Sequence, residues 1–320
     1  MTRPITLVPG DWIGPEICQV VQELFVAVDV DVAWDEHHRI DDAMMASARR
    51  TGVVLKARMA GERTVGELPP SVRLRKGLGL WGQVRYVRNL PGVPARFDSV
   101  DIGVVREISE DIYTGLEHET APGVFEQVKL TTAEACERIA RFAFLEARRW
   151  DRKRVHIVHK SNIMKMSDGL FLRTAQAVAA EYPDIACEEV IVDALCMRLV
   201  KDPSQFDVLL CGNLFGDIVA DLVTGLAGGI ATAGATNYGD DVVVFENPHG
   251  KAPELTGTGR ANPVPMIIQG INLLHHIGEG DAARRLAQAT MDTLGSGLKT
   301  ADQGGDAGCV AVRDAVLGRL

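Results

Sequence analysis

Nothing in this 320-residue chain is spaced for a thiol-based centre. Its cysteines (Cys18, Cys136, Cys187, Cys196, Cys211, Cys309) include no C-x-x-C pair, which leaves a zinc or redox motif without support. They read as thiols kept reduced in a cytoplasmic setting. No run of about 18 apolar residues is present, so no segment reads as a membrane span. The opening MTRPITLVPG reads as a short strand, not as the apolar region of a secretory leader. Positive charge is in short supply: 34 Lys and Arg against 43 Asp and Glu leave a formal charge of −9, a poor balance for binding nucleic acid or an anionic membrane. No G-x-G-x-x-G follows the first strand, so the usual Rossmann fingerprint is missing. Internal repeats, low-complexity tracts and long linkers are absent as well.

What is present is an alternation of strands and helices. Pro4 to Val8 reads as a strand ending in the turn signal Pro9-Gly10-Asp11. A helix follows, with Pro15 and Glu16 in its first turn and Ile17, Val20, Val21, Leu24 and Phe25 on one face. Helices are expected over 41–50, around 72–78, and over 133–149, 168–181, 216–227, 263–277 and 281–294, with another starting at 191–193. Strands are expected at 53–55, 102–106, 154–158, 208–211 and 242–245, with residues 57–70 irregular. This order implies an α/β fold with a largely parallel sheet, and 46% hydrophobic residues suffice for a large core in one big domain or two lobes.

Asp217 and Asp221 stand four apart on a predicted helix that follows a strand end, so both carboxylates project from one face. Taken alone, D-x-x-x-D more often marks a solvated face. Two adjacent carboxylates repel unless a cation joins them, however, and their hard oxygen donors suit Mg²⁺ or Mn²⁺. Asp193 is a third acid, set in an apolar stretch, where it could equally cap a helix. Lys160, in His159-Lys160-Ser161-Asn162 after a buried strand, can act as a base if desolvated; Tyr113 is a candidate acid. Arg73, Arg75, Arg85, Arg88 and Arg106 concentrate in a short region of an acidic chain. Those beside apolar runs (Arg75, Arg85, Arg106) suit carboxylate clamps.

In order, the pieces Pro9-Gly-Asp-Trp-Ile-Gly-Pro-Glu16, Leu74-Arg-Lys76, Val84-Arg85, Val105-Arg-Glu107 with Glu110-Asp-Ile-Tyr113, His159-Lys-Ser-Asn-Ile-Met-Lys165, Asn213-Leu-Phe-Gly-Asp-Ile-Val-Ala-Asp221, His249-Gly-Lys-Ala-Pro253 and Ala261-Asn-Pro263 resemble the isocitrate/isopropylmalate dehydrogenase family of β-decarboxylating dehydrogenases. Gly115-Leu-Glu-His118 and the 161–171 stretch look most like its NAD-type isocitrate dehydrogenase branch. The resemblance implies a two-lobed α/β fold that is not Rossmann. Residues 1–95 and 225–320 would form a large, cofactor-binding lobe; residues 96–224 would form a small lobe with the dimer interface and an intersubunit arm near 108–135.

It further implies a homodimer with shared active sites and a small anionic hydroxy-acid substrate. Asp217 and Asp221 become metal ligands, with Asp193 a ligand from the partner protomer. Arg75, Arg85 and Arg106 become clamps on substrate carboxylates, and Asn162 a contact near substrate and nicotinamide. Lys160, donated by the partner, and Tyr113 become the base and the acid. Ile13, His249, Gly250, Ala252, Glu254 and Asn262 line the NAD site, where the acid Glu254 accepts from ribose hydroxyls and repels a 2′-phosphate.

The expected reaction is NAD- and metal-dependent oxidative decarboxylation of a C3-substituted malate. Substrate-specificity positions depart from the family's patterns. Pro69, Ser71 and Arg73 make the loop polar and basic, which implies a third anionic arm and argues against an isopropyl group. Isocitrate, homoisocitrate or phosphonomethylmalate would each fit such donors, with Ser71 and Arg73 reading the arm. Trp12 and Ile108 replace the family's usual glycine and asparagine. A non-catalytic regulatory subunit of a hetero-oligomer is the alternative of another class; its lost lysine, tyrosine or aspartate is not seen here.

Overall fold

The computed structural model describes residues 2–60, 68–229, 232, 234–247, 249–250 and 252–320. Within it the chain runs β1 (Arg3–Val8), α1 (Gly14–Ala27), β2 (Val32–Glu36), α2 (Asp42–Thr51), β3 (Val53–Lys56), α3 (Pro70–Gly77), β4 (Gly82–Arg88), β5 (Asp101–Glu107), β6 (Glu117–Ala121), β7 (Val124–Gln127), α4 (Ala133–Arg149) and β8 (Arg154–His159). It continues through α5 (Ser167–Ala179), β9 (Ala186–Ile191), α6 (Val192–Lys201), β10 (Val208–Cys211), α7 (Asn213–Leu226), β11 (Ala235–Tyr238), β12 (Val243–Glu246), α8 (Val264–His276), α9 (Gly280–Gly295) and α10 (Cys309–Leu317). Of the stretch expected to be irregular, 61–67 lies outside the described residues.

Two compact units divide the chain. The first comprises Met1–Leu78, Asn89–Arg96 and Ala227–Leu320. Its strands lie in the order β2-β1-β3-β12-β11, parallel except for the antiparallel β11–β12 pair. The apolar run Ile5–Val8 is buried on both faces, as a central parallel strand requires. Helix α1 buries Ile17, Val20, Val21 and Leu24, the spacing of a single helical stripe. These residues share a core with Ile267, Ile271 and Leu274 of α8 and Leu286 of α9. A Cβ at Gly270 would meet Val21 Cγ1 at 2.9 Å, so only glycine lets α8 approach α1 so closely.

The second unit comprises Gly79–Arg88 and Phe97–Leu226. Its strands lie in the order β4-β5-β10-β8-β9, with β4–β5 antiparallel and the others parallel. Strand β10 is buried throughout, and β5 and β8 beyond their first residues. Because successive side chains point to opposite faces, both faces must be covered. Helices α4 and α5 pack together on the sheet, as do α6 and α7. Hairpin β6–β7, in the segment expected to form an arm, is exposed at every residue. The expected boundary needs one correction. Residues 79–88 do not join the chain ends, because β4 lies antiparallel along the whole of β5, from Gly82 opposite Glu107 to Arg88 opposite Asp101.

Candidate active site

The helix carrying the two aspartates is longer than its pattern suggests, beginning at Asn213 rather than Gly216. That extra turn matters. Arg106, at the carboxyl end of β5 and only 1% exposed, donates from Nε and Nη2 to Asn213 Oδ1 at 3.1 and 2.7 Å. Its Nη1 pairs with Asp217 and reaches Gln83 Oε1 at 3.5 Å; Gln83 is its direct neighbour on β4. The guanidinium fits because residue 216 has no side chain: a Cβ there would come within 2.6 Å of Arg106 Cγ and 2.8 Å of its Cβ. One turn along α7, Asp221 pairs with Arg85 of β4. Arg85 is largely buried, and its Nε has no hydrogen-bond partner among the described residues.

Tyr113 sits on a short 3₁₀ turn, Ile112–Thr114, whose N-cap is Asp111. Its hydroxyl donates to Asp217 Oδ2 at 2.6 Å, and Arg106 stacks on its ring at 5.2 Å. The structure therefore brings Asp217, Asp221, Arg85, Arg106 and Tyr113 together. The carboxylates keep an open side, with side chains 40% and 75% exposed. Two hard oxygen donors one helical turn apart, open to solvent on one side, fit Mg²⁺ or Mn²⁺. They do not complete a site by themselves: among the described residues, no three His, Cys, Asp or Glu side chains converge to hold a metal.

Lys160, Asp193 and Asn162 stand apart from that group. Lys160 follows β8; its backbone N–H donates to Asp168 Oδ2 at 2.7 Å, and its ammonium pairs with Asp193. The Lys160 hydrogen bond holds the Asp193 carboxyl below its ordinary pKa. Asp193 lies in the first turn of α6 but is not its cap, which is Ile191. Asn162 is exposed in the turn after β8.

On α3 of the first unit, Ser71 and Arg75 are one turn apart and share a face, both half-buried. Arg73 is two residues from each, which places it on the other side, and it is exposed. The structure does not bring Arg73 to the Ser71–Arg75 face, contrary to the shared role expected of the two donors. Behind Arg75 lies a buried charge network. Glu246 accepts from Lys56 Nζ at 2.9 Å and from Asn237 Nδ2 at 3.1 Å. Burial pushes the Glu246 carboxyl up, but the Lys56 and Arg75 cations and the two hydrogen bonds outweigh it and hold the pKa at about 2.

The residues expected at the cofactor lie at the carboxyl ends of β1 and β12 and in the loops beyond them, where α/β sheets bind ligands. Ile13 is buried after the Pro9–Trp12 loop, and Trp12 holds the left-handed φ of +53° that glycine normally takes. His249 is buried. Its Nδ1 lies 2.7 Å from Gly250 O, while Nε2 accepts from Arg58 N at 3.3 Å, which assigns the proton to Nδ1. Burial lowers its pKa, so the ring is neutral at pH 7. Ala252, at φ +43°, caps the short turn that presents Glu254 to solvent. Asn262 is occupied at both ends of its amide: Oδ1 accepts from Val264 N at 3.0 Å, and Nδ2 donates to Asp302 at 2.9 Å.

Sequence reasoning missed Asn213 and Gln83, which hold Arg106, and Glu246, which sits behind Arg75. Asn213 had a signal, standing one turn before Asp217 in the same motif. Gln83 had none before β4 and its register were known.

Over residues 4–316 the sequence matches the family described as isocitrate/isopropylmalate dehydrogenase. Isocitrate dehydrogenase (NAD) catalytic subunit 5, mitochondrial, of Arabidopsis thaliana is 40% identical over 334 residues, covering 100% of this chain and 89% of that protein. A mitochondrial NAD isocitrate dehydrogenase regulatory subunit of Dictyostelium discoideum is 38% identical over 325 residues, covering 99% and 92%. The crystal structure of isocitrate dehydrogenase from Methylococcus capsulatus matches with a TM-score of 0.95 at 38% identity and covers 99% of each chain. Fold, motif order and relatives agree, and the chain belongs to the isocitrate/isopropylmalate dehydrogenase family.

Proposed function

We propose that this chain is an NAD-dependent decarboxylating dehydrogenase acting on a C3-substituted malate with a third anionic arm, such as isocitrate. The observation that carries the reading is the pairing of Arg106 with Asp217 and of Arg85 with Asp221, with Tyr113 bonded to the first acid. An anionic substrate offers the arginines the same kind of partner they now have, which frees the aspartates for a divalent cation. When bound, a divalent cation held by Asp217 and Asp221 would supply Lewis acidity at the substrate hydroxyl and carboxylate, and NAD would supply the hydride acceptor. Arg75, Arg85 and Arg106 orient the substrate; Lys160 takes the hydroxyl proton; Tyr113 returns a proton to C3 after CO₂ leaves.

The working unit is a homodimer in which Lys160 and Asp193 complete the partner's site. Their pairing with each other rather than with Asp217 or Asp221 supports this division. Glu254, exposed after Ala252, favours NAD over NADP by repelling a 2′-phosphate.

The test is NADH formation by the purified chain with Mn²⁺ and isocitrate, homoisocitrate, isopropylmalate, tartrate, malate or phosphonomethylmalate, repeated with NADP. Turnover is expected with NAD and a substrate bearing a third anionic group. No turnover with any of them would sink the catalytic reading in favour of a regulatory role, and a preference for isopropylmalate would refute the anionic arm.

A further inference from the structure

The second unit contains a buried ionic triad that the reaction does not use. Lys129, at the root of the exposed hairpin just after β7, places its ammonium 3.2 Å from Asp111 Oδ2 and 3.0 Å from Asp168 Oδ1. Both carboxylates are only 5% exposed. Each carries a second load. Asp111 caps the turn bearing Tyr113, accepting from Ile112 N at 2.8 Å. Its Oδ2 also accepts from Leu214 N at 3.1 Å, in the first turn of the helix that bears Asp217 and Asp221. Asp168 accepts from the backbone N–H of Lys160 at 2.7 Å. The ring of Phe215 lies 5.3 Å from the same ammonium. One cation thus joins the acid's turn, the aspartate helix and the base's loop.

This junction serves position rather than stability. A buried ionic triad is commonly no more stabilising than apolar packing of the same shape. Asp111 moreover sits at φ +68°, ψ −153°, a region that is essentially glycine's own and costs side-chain-bearing residues free energy. Its neighbours fix it there: besides the bonds above, its N–H donates to Leu130 O at 3.0 Å. Strain held by so many contacts beside a reacting group points to function.

We propose that Lys129 is a positioning residue that sets Tyr113 and Lys160 relative to each other through Asp111 and Asp168. The inference rests on the proposed dehydrogenase reading. In a dimer whose Lys160 serves the neighbouring site, the same ammonium acts on both sites at once.

The test uses the whole 320-residue chain with NAD, Mn²⁺ and its best substrate. Lys129→Met keeps the apolar stem and removes the charge; Lys129→Arg restores a cation. Lys129→Met should lower kcat about tenfold or more while changing substrate KM less than about twofold, and Lys129→Arg should recover most of the loss. Hydrogen exchange read by mass spectrometry provides an arm independent of turnover. Lys129→Met should speed exchange in 111–116 and 160–168 and leave the first unit unchanged. Asp168→Asn should speed it in 160–168 alone. Unchanged exchange in both segments, or a kcat loss that follows only the folded fraction with exchange raised everywhere, would overturn the proposal. A wild-type chain that turns over no substrate refutes the dehydrogenase reading, and the exchange pattern still decides the role of Lys129.

Discussion

Gly216 should be the most sensitive glycine in the site, and Gly225, on the same helix, its control. Alanine in a helix interior is favoured over glycine by about 1 kcal/mol. At Gly225 an added Cβ meets nothing within 4 Å, so Gly225→Ala should gain part of that amount and leave activity unchanged. At Gly216 the same Cβ would lie 2.6, 2.8 and 3.0 Å from Arg106 Cγ, Cβ and Cδ. Overpacking of this kind costs about 1–3 kcal/mol, which cancels or exceeds the propensity gain. The larger effect falls on function. Arg106 cannot retreat without loosening its bonds to Asn213 and Asp217. A loss of about 1.4–2.8 kcal/mol in substrate and transition-state binding means a fall in kcat/KM of about 10- to 100-fold, with much of it in KM. Urea denaturation and steady-state kinetics on both variants decide the matter. A Gly216→Ala enzyme with wild-type kcat/KM and the stability of Gly225→Ala would refute the claim that this contact positions the clamp.

His156 on β8 is fully buried, both its ring nitrogens lack a hydrogen bond among the described residues, and the Glu188 carboxylate is its nearest counter-charge at 3.6 Å. Burial, opposed by Glu188 and aided by Arg154 and Arg198, lowers its pKa from 6.5 to about 4. The unfolded chain takes up this proton first as pH falls. Stability should therefore be complete above pH 6.5 and decline by about 3 kcal/mol towards pH 4, at about 1.4 kcal/mol per unit; His156→Leu should flatten that part of the profile, and an identical pH dependence in both proteins would disprove it. Ser71→Ala should raise the KM of the best substrate by about tenfold, while Arg73→Ala, on the far side of α3, should leave it within about twofold; the reverse ranking would show that the face assignment is wrong. Arg85 and Arg106 pair with the two aspartates; if an anionic substrate takes their place, as proposed, Mn²⁺ and substrate should bind with positive linkage. Calorimetry should find Mn²⁺ bound about tenfold more tightly with substrate present, and equal affinities with and without it would refute the exchange.

How much of this was readable in advance followed from where each side chain's partners lie. Strands β5, β8 and β10 were legible because parallel strands covered on both faces are continuous apolar runs. Strand β4 was not, because Gln83 and Arg85 interrupt its apolar pattern; the residues that hid the strand are those that hold Arg106 and Asp221. Edge strands β2 and β9 were missed for another reason, since Asp35, Glu36, Glu188 and Glu189 give them the composition of loops. Asp217 and Asp221 could be paired because a helix turns local spacing into proximity. The same periodicity separates Arg73 from Arg75 on the helix expected around 72–78; that Ser71 shares the Arg75 face follows only because α3 begins at Pro70. The Lys129 triad had no local signal, since Asp111 and Asp168 lie 18 and 39 residues from it. Local spacing therefore identifies groups that would face a ligand from a single element. The groups that hold those elements in place meet only after the sheet has formed, which is why Lys129 and Gln83 emerge from the fold and not from the motifs.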